Sequence, residues 1–262
     1  MIPYFIFDHF KLGPLTFYPW GLLVGLGFSA GWLLAVKEAK RKKINPTEIT
    51  DLALWIILGS ILGARLLFVL ENWSLFINNW LGVFKIWEGG MSYYGGLGGG
   101  ILAALFYVKR KKMNYREIGD ILALSLALGL FIGRLGCFLV NDHLGAHTTL
   151  PWGIQYEDGT IRHPVALYLS VSELIIFLFL FIIRKRIRTT GLLASFYLFL
   201  SSSSRFLLDF TRSREENLPF TDHYYKGLNL AQFISIGLFF IACYFIIQIK
   251  SQSRKESLRK MN

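Results

Sequence analysis

The sequence predicts an all-α, polytopic membrane protein with seven transmembrane helices. Of its 262 residues 53% are hydrophobic and only 17% are charged, and the apolar residues come in long runs rather than amphipathic stripes. Each run is near the ~20 residues that cross a ~30 Å hydrocarbon core. Because backbone groups in lipid must be hydrogen-bonded within their own segment, each run is predicted to be a helix. The predicted spans are residues 18–36, 49–70, 90–108, 118–138, 164–183, 191–210 and 228–249.

The basic residues predict how these spans are oriented. Alternate connecting segments hold five, five, four and five of the 28 Lys and Arg residues, at 37–43, 109–116, 184–188 and 250–260. Because cytoplasmic loops carry the excess of basic residues, the N-terminus is predicted to be outside and the C-terminus cytoplasmic. The net charge of +11 therefore reflects topology and contact with anionic headgroups, and nucleic acid is not a predicted partner.

The chain is predicted to form a single domain over residues 1–262. It has no internal repeat and no long linker, and its outer loops fall at about 71–89, 139–163 and 211–227. The first seventeen residues lack a basic start and a small-residue cleavage pattern, so no signal peptide is expected. Cys137 and Cys243 have no pairing or metal-type spacing, so both are predicted to be free thiols, and neither a metal nor a cofactor is predicted.

Three arginines lie inside the apolar spans: Arg65, Arg134 and Arg205. A charged side chain costs at least ~2.5 to 3.5 kcal/mol at the centre of a membrane helix, so each needs a ligand or partner. At ~1.5 Å per residue all three are expected ~6 to 8 Å below the outer boundary. A guanidinium binds two oxygens at once, which suits phosphate. The arginines therefore predict a shared site for an anionic lipid headgroup.

A buried arginine can also be accommodated by snorkelling to the interface or by pairing with a carboxylate on the same helix. Arg205 has Asp209 at i+4, so a structural and a functional role both stay open for it. Arg134 has no acid three or four residues away, which favours a functional role. Glu173, about ten residues into its span, is expected to face the bundle and to pair with a partner that the sequence does not identify.

Small residues spaced four apart predict close helix packing. The pairs are Gly21 with Gly25, Gly59 with Gly63, Gly95 with Gly99, and Gly129 with Gly133. Small residues let helix backbones approach closely in lipid. The glycine-rich run 95–100 is also a place where a ligand could contact backbone amides.

The sequence Gly-Arg-Leu-Gly-Cys-Phe occurs at 133–138 and is followed by Asp142 and Gly145. This segment resembles the signature of the prolipoprotein diacylglyceryl transferase family, bacterial enzymes that attach diacylglycerol to a lipoprotein cysteine. Residues 89–97 are similar to its segment ending in His-Gly-Gly-Leu, residues 162–168 to its Arg-His-Pro element, and residues 205–212 to its late arginine helix. The chain departs from the family pattern at Trp20, Tyr94, Cys137, Val140, Asp142, Ala166 and Leu169, where the pattern has Tyr, His, Asn, Asn, Glu, Gln and Glu.

The resemblance implies transfer of a diacylglyceryl group from phosphatidylglycerol, or a similar anionic phospholipid, to the thiol of a lipoprotein precursor with a lipobox cysteine. Glycerol phosphate is released, and the site lies toward the periplasmic side of the bacterial plasma (inner) membrane. The catalytic residues implied are Arg134, Arg205, Tyr94 and Asp142. The substrate-binding residues implied are Trp20, Gly95, Gly96, Gly145, His163, Tyr168 and Arg212. Because Tyr94 replaces a histidine, the general base stays open among Asp142, His143 and His163.

Two different functions remain as alternatives. A divergent paralogue could bind an anionic lipid or a partner protein without catalysis, or modify another acceptor. A transporter of an anionic solute is disfavoured, because a transport path needs polar groups through the whole bilayer. At the cytoplasmic ends the sequence offers only Asp51, Glu117 and Asp120.

Overall fold

The fold is dominated by α-helices. The structure is a computed structural model that describes residues 1–77, 80–142, 144–187, 189–215 and 224–259, with the backbone alone described at residues 88 and 253–259. The α-helices in these ranges are α1 (Pro19–Arg41), α2 (Pro46–Glu71), α3 (Tyr93–Arg110), α4 (Tyr115–Val140), α5 (Val165–Ile183), α6 (Leu192–Leu208) and α7 (Leu230–Arg259). Each begins within three residues of a predicted start, so the prediction of these helices is confirmed.

Five of these helices are long and apolar enough to cross a membrane by length and composition, namely α1, α2, α4, α5 and α7. The protein is therefore a multi-pass membrane protein. Helix α3 ends in Lys109 and Arg110, and α6 has 17 residues with four consecutive serines directly before Arg205. Helices α1 and α7 run past their apolar segments because lysine, arginine and glutamate are good helix formers once the chain leaves the apolar run.

The chain packs as two compact units. The first comprises Met1–Ala35 and Gly119–Asn262, and the second comprises Val36–Ile118. In the second unit α2 and α3 pack through four glycines, Gly59, Gly63, Gly95 and Gly99. A Cβ atom on Gly59 would lie 2.6 Å from the carbonyl oxygen of Gly99, and one on Gly63 would lie 2.8 Å from Gly99 Cα. The predicted close approach at these four positions is confirmed, because any side chain would force the helices apart.

Arg65, in the second unit, holds the segment between α2 and α3 and is only 7% exposed. Four of its five N–H groups donate to backbone carbonyl oxygens, those of Gly82 (2.5 Å), Val83 (2.8 Å), Gly89 (2.6 Å) and Gly90 (2.9 Å). The rings of Phe68 and Phe76 flank the guanidinium at 5.6 and 5.5 Å. Its expected role in a shared phosphate site is therefore corrected: the donors that would bind a phosphate hold the loop instead.

In the first unit α1 approaches α4 through a different pair of glycines from the one predicted. A Cβ atom on Gly27 would lie 2.6 Å from the carbonyl oxygen of Gly129, and one on Gly31 would lie 2.9 Å from that of Ser125. A Cβ atom on Gly21 or Gly25 would meet nothing within 4 Å among the described residues, so the close packing predicted at these two glycines is wrong. Helix α1 contains two glycine pairs spaced four apart, and spacing alone does not say which faces a neighbour.

An aspartate from α4 caps the start of α6. The carboxylate of Asp120 accepts hydrogen bonds from the backbone N–H groups of Gly191 and Ala194, both at 3.0 Å. The first N–H groups of a helix lack partners within the helix, and its N-terminus favours negative charge. Asp120, one of the acids predicted near the cytoplasmic boundary, therefore has a structural role there.

The loops contain short strands that the all-α prediction did not include. They are β1 (Ile2–Pro3), β2 (Phe10–Leu12), β3 (Leu15–Phe17), β4 (Ile154–Gln155), β5 (Ile161–Arg162), β6 (Tyr224–Tyr225) and β7 (Leu228–Asn229). Strand β4 pairs with β1 in parallel and with β5 antiparallel, while β2 pairs with β3 and β6 with β7. Strands of two or three residues are too short to show an alternating pattern in the sequence.

Candidate active site

The end of α4 brings together a guanidinium, a thiol and a carboxylate. Nη1 of Arg134 lies 3.9 Å from Sγ of Cys137, one helical turn further on. The side chains of Asp142 and Trp20 also interact with the Cys137 thiol. Arg134 forms no ion pair with a carboxylate among the described residues, whereas Arg205 in the same unit does. Three of the predicted site residues, Trp20, Arg134 and Asp142, therefore surround one thiol.

A buried carboxylate orients the two arginines at the end of α6. Asp209 is 1% exposed. Its Oδ2 lies 3.2 Å from Nε of Arg205, and its Oδ1 lies 3.1 Å from Nε of Arg212. The predicted partner of Arg205 is therefore present, and the same carboxylate holds a second guanidinium. Arg212 is only 5% exposed, so it lies in the interior of this unit.

The start of α7 supports the same carboxylate. Asn229, which is fully buried, donates from Nδ2 to Oδ2 of Asp209 at 3.3 Å. Asn229 and Gln232 also hydrogen-bond each other's backbone N–H groups reciprocally, at 2.8 and 3.0 Å, in the manner of a capping box. Gln232 Nε2 donates to the carbonyl oxygen of Phe206 on α6 at 3.2 Å. Asp209, the carboxylate that holds Arg205 and Arg212, is thus held in place from α7.

Glu173 on α5 interacts with both arginines of the site, Arg134 and Arg205. Its Oε1 accepts a hydrogen bond from Ser201 Oγ of α6 at 2.8 Å, and its carboxylate interacts electrostatically with both Arg134 and Arg205. Ser204 Oγ donates to Ser172 Oγ at 2.8 Å beside it. The partner that the sequence could not identify is therefore Ser201 of α6. Both Arg134 and Arg205 lie close enough to interact electrostatically with the same carboxylate.

His163 and Tyr168 meet at the start of α5. Nδ1 of His163 lies 3.2 Å from the hydroxyl oxygen of Tyr168, and Trp152 Nε1 donates to that oxygen at 2.8 Å. Because Trp152 donates to the phenol oxygen, the phenol hydrogen is available to His163 Nδ1. Partial burial lowers the pKa of the His163 imidazole below its usual value, so the ring is neutral at neutral pH.

Gly145 and Arg162 tie the loop after α4 to the loop after α6. A Cβ atom on Gly145 would collide with the backbone of His163, so only glycine fits. Gly145 also pairs with Arg212 in an isolated antiparallel bridge. Nη1 and Nη2 of Arg162 donate to the two carboxylate oxygens of Glu215, each at 3.1 Å. The residues of the Arg-His-Pro element therefore hold the loops over the ends of α4 and α6.

The ion pair of Arg162 with Glu215 predicts acid-sensitive loop packing. The Arg162 guanidinium, hydrogen-bonded to Glu215, holds the pKa of that carboxyl below its usual value, and His147 Nε2 lies 3.1 Å from the same carboxylate. A lowered folded-state pKa gives stability that is present above the unfolded pKa and lost as pH falls through the folded pKa. Protease cleavage of the loop after α6, which contains Glu215, is therefore expected to become faster at pH values below those at which a carboxyl group usually titrates. The variant Glu215→Gln is expected to be cleaved fast at every pH. A cleavage rate that stays constant from neutral to acid pH would contradict this role.

Tyr94, Gly95 and Gly96 lie in the first turn of α3, in the second unit. Tyr94 is about two-fifths exposed, and its ring packs edge-on against Tyr93 at 5.4 Å. Gly95 is used in packing, since a Cβ atom there would meet Leu67 Cβ at 2.6 Å. Their roles toward a substrate stay predictions. His143, the other candidate base, lies outside the described residues.

Sequence reasoning missed Asn229 and Gln232, and left Asp209 only as a partner of Arg205. A signal for the pair was present, because an Asn three residues before a Gln at the start of an apolar run is similar to a capping box. Its link to Asp209, twenty residues earlier in the chain, has no local pattern. In the part of the chain that the structure describes, no group of three His, Cys, Asp or Glu side chains is arranged to hold a metal ion.

The first unit can therefore stabilise a phosphate near a thiol. The guanidinium of Arg205 is oriented by a buried carboxylate, and that of Arg134 lies beside Cys137 and Asp142. Preorganised cations in a low-dielectric site stabilise charge that develops on a leaving phosphate, and a nearby cation favours a thiolate over a thiol.

A profile of the family described as prolipoprotein diacylglyceryl transferase matches residues 8–248. The chain belongs to this family. Curated relatives named phosphatidylglycerol–prolipoprotein diacylglyceryl transferase include one from Nitratidesulfovibrio vulgaris (strain DP4), 32% identical with 90% of this chain and 91% of the relative covered. The relative from Clostridioides difficile (strain 630) is 36% identical, covering 83% and 84%. The relative from Geobacter sulfurreducens (strain ATCC 51573 / DSM 12127 / PCA) is 36% identical, covering 80% and 83%. The predicted family is confirmed, and it spans both units of the chain.

Proposed function

We propose that this protein transfers a diacylglyceryl group from phosphatidylglycerol to the thiol of a lipoprotein precursor's lipobox cysteine and releases glycerol phosphate. Membership of the family supports this activity. The names of the relatives state the two substrates, and this chain covers most of the length of each relative. The observation that carries the proposal is the pair of guanidiniums, Arg134 and Arg205, that share Glu173 as an electrostatic neighbour. Such a pair of guanidiniums suits the phosphodiester headgroup of the lipid substrate.

The reaction is a displacement at carbon. The acceptor thiolate attacks the carbon of the diacylglycerol part that carries the phosphate, and a C–S bond forms. The C–O bond between that carbon and the phosphate breaks, and its electron pair stays on the oxygen of the released glycerol phosphate. The phosphodiester carries one negative charge, and the released glycerol phosphate gains a second. Arg134 and Arg205 would stabilise that added charge in the transition state. Asp209 contributes by holding Arg205 and Arg212 in position, which makes Arg212 a positioning residue in this proposal.

The acceptor thiol must lose its proton, since an ordinary thiol of pKa ~8.5 is only a few per cent thiolate at pH 7. We assign the acceptance of this proton to Asp142, because its carboxylate interacts with a thiol, that of Cys137, whose sulfur lies 3.9 Å from Arg134 Nη1. Arg134 favours the thiolate that remains. Tyr94 would donate a hydrogen bond rather than accept a proton, since a phenol is a poor base at neutral pH. Trp20, Gly95, Gly96, Gly145, His163 and Tyr168 are assigned to substrate binding or to shaping the site.

The proposal includes the topology predicted from the charges. All seven α-helices would cross the bacterial inner membrane as one domain, with the N-terminus and the active site toward the periplasm. The basic ends of α1 and α3 support this orientation, because Lys40, Arg41, Lys109 and Arg110 end two helices that the prediction directs to the cytoplasm. Cysteine labelling with a membrane-impermeant reagent, at single cysteines placed near residues 75 and 112, would test it: residue 75 should label in intact cells and residue 112 should not.

One assay tests the activity. The purified protein is incubated with glycerol-labelled phosphatidylglycerol and a lipobox peptide, and the peptide product is analysed for a thioether-linked diacylglyceryl group. The same peptide with serine in place of its cysteine is the matched control and should stay unmodified. If a family enzyme forms the product under these conditions and this protein forms none, the alternative of a lipid-binding paralogue or another acceptor replaces the proposal.

A further inference from the structure

Glu173 is a buried carboxylate on α5, directly before a run of apolar residues. It is 8% exposed and lies in α5, where residues 174–183 are all apolar. An ionisable side chain at such a depth is costly and usually marks a functional position. The displacement at the glycerol carbon gives Glu173 no role of its own.

Only one of its two oxygens is satisfied. Oε1 accepts the hydrogen bond of Ser201 Oγ at 2.8 Å, whereas Oε2 is buried and has no hydrogen-bond partner among the described residues. Leaving a buried acceptor unsatisfied is unfavourable, and the penalty is larger for a charged group. Nearby serines do not relieve it, since Ser170 Oγ donates to the carbonyl oxygen of Phe131 at 2.9 Å and Ser204 Oγ donates to Ser172.

The surroundings restrict what could donate to Oε2. The carboxylate interacts with the guanidiniums of Arg134 and Arg205, the two groups assigned to the phosphate. A phosphate oxygen cannot serve, because it is an acceptor and carries negative charge. An ammonium headgroup would add a third cation beside the two arginines. The donor must therefore carry a hydrogen and add no positive charge. A neutral hydroxyl on the headgroup alcohol of a phosphodiester meets both conditions.

We propose that Oε2 of Glu173 accepts a hydrogen bond from a hydroxyl of the phospholipid's glycerol headgroup, which makes Glu173 a specificity-determining residue for polyol headgroups. The inference rests on the proposed function for the identity of the lipid. Arg134 and Arg205 then recognise the phosphate of any anionic phospholipid, and Glu173 selects among them. A site built to hydrogen-bond a hydroxyl rejects the analogue that lacks it, because its own polar group is left unpaired.

Phosphatidylmethanol provides the test, because its headgroup is a phosphodiester of the same charge without a hydroxyl. Binding of phosphatidylglycerol and phosphatidylmethanol with identical acyl chains is compared in detergent by native mass spectrometry. The wild-type protein is expected to prefer phosphatidylglycerol by about 10-fold or more, the effect of leaving a buried acceptor unpaired in the complex with phosphatidylmethanol. Glu173→Gln, which keeps the shape and a neutral acceptor, is expected to reduce that ratio several-fold. Glu173→Met is expected to bring the ratio close to one.

Ser170→Ala is the matched control, since it removes another buried polar group of α5 whose hydrogen bond is already made within the protein. It should leave the ratio unchanged. If Glu173 only balances the charge of the arginines, its variants will weaken both lipids equally and the ratio will stay at the wild-type value, which would overturn the proposal. A wild-type ratio near one would do the same. Melting temperatures of Glu173→Gln and Ser170→Ala, measured alongside, identify a variant that has lost its fold.

The transfer assay separates this inference from the proposed function. If the protein transfers from both lipids with the same kcat/KM, the activity stands and the role of Glu173 is wrong. If it forms no thioether but binds phosphatidylglycerol in preference to phosphatidylmethanol through Glu173, the transferase activity is wrong and the headgroup selection stands.

Discussion

Replacing Arg134 with alanine is expected to lower the rate of thioether formation by about 10²- to 10³-fold, the range seen when one preorganised donor to a developing anion is removed. The chemical reason is that Arg134 lies beside the Cys137 thiol and the Asp142 carboxylate without an ion pair of its own among the described residues. Its charge is therefore available to the leaving phosphate and to the acceptor thiolate. The measurement is initial rates in the purified transfer assay.

The conservative variant Arg134→Lys keeps the charge but loses the planar fork, so it should recover only part of the lost rate. Lys109→Ala, which removes an exposed basic residue at the end of α3, is the matched control and should keep the wild-type rate. Expression and melting temperature of Arg134→Ala should be near those of the wild type. An Arg134→Ala protein with normal activity would mean that the phosphate assignment is wrong.

Replacing Asp209 with alanine is expected to destabilise the fold by about 3 to 5 kcal/mol, the usual effect of leaving a buried charge without its partner. Asp209 is 1% exposed and neutralises Arg212, which is 5% exposed, while it also orients Arg205. Activity should fall as well, since Arg205 loses the contact that fixes its guanidinium. The midpoint of denaturation in mixed detergent and the initial rate are the two measurements.

Asp209→Asn helps to separate charge from hydrogen bonding, because an amide keeps an acceptor oxygen for one arginine. It should be destabilised less than Asp209→Ala. The matched control is Asp158→Ala, a loop carboxylate that accepts hydrogen bonds from Thr160 in its own turn. A wild-type denaturation midpoint for Asp209→Ala would show that the buried arginines have another source of compensation.

The helices could be predicted from the sequence because their signal is local. A run of apolar residues as long as a bilayer is thick specifies both the element and its approximate ends, and every start agreed within three residues. The extension of α1 to Arg41 was missed because hydropathy reports where the apolar run ends, whereas a helix of good helix formers continues into water. The short strands of the loops gave no periodic signal at all.

The site was predictable where partners lie one helical turn apart. Asp209 as the partner of Arg205 follows from the i+4 spacing, and the structure confirms that contact. The partners of Arg65 were not predictable, because they are backbone carbonyls 17 to 25 residues later in the chain. A carbonyl is present at every residue, so no residue type marks it. Glu173 could be recognised as costly but not assigned to Ser201, because that serine lies on another helix, 28 residues later in the chain.

The most direct test of the central claim, that Arg134 and Arg205 hold the same phosphate, is a double-mutant cycle on the affinity for phosphatidylglycerol. Arg134→Gln, Arg205→Gln and the double variant are compared with the wild type by native mass spectrometry in one detergent. Two groups that bind the same phosphate are coupled, so the double variant is expected to lose much less than the sum of the two single losses in binding free energy. Additive losses, or an affinity that neither single variant changes, would contradict a shared phosphate site.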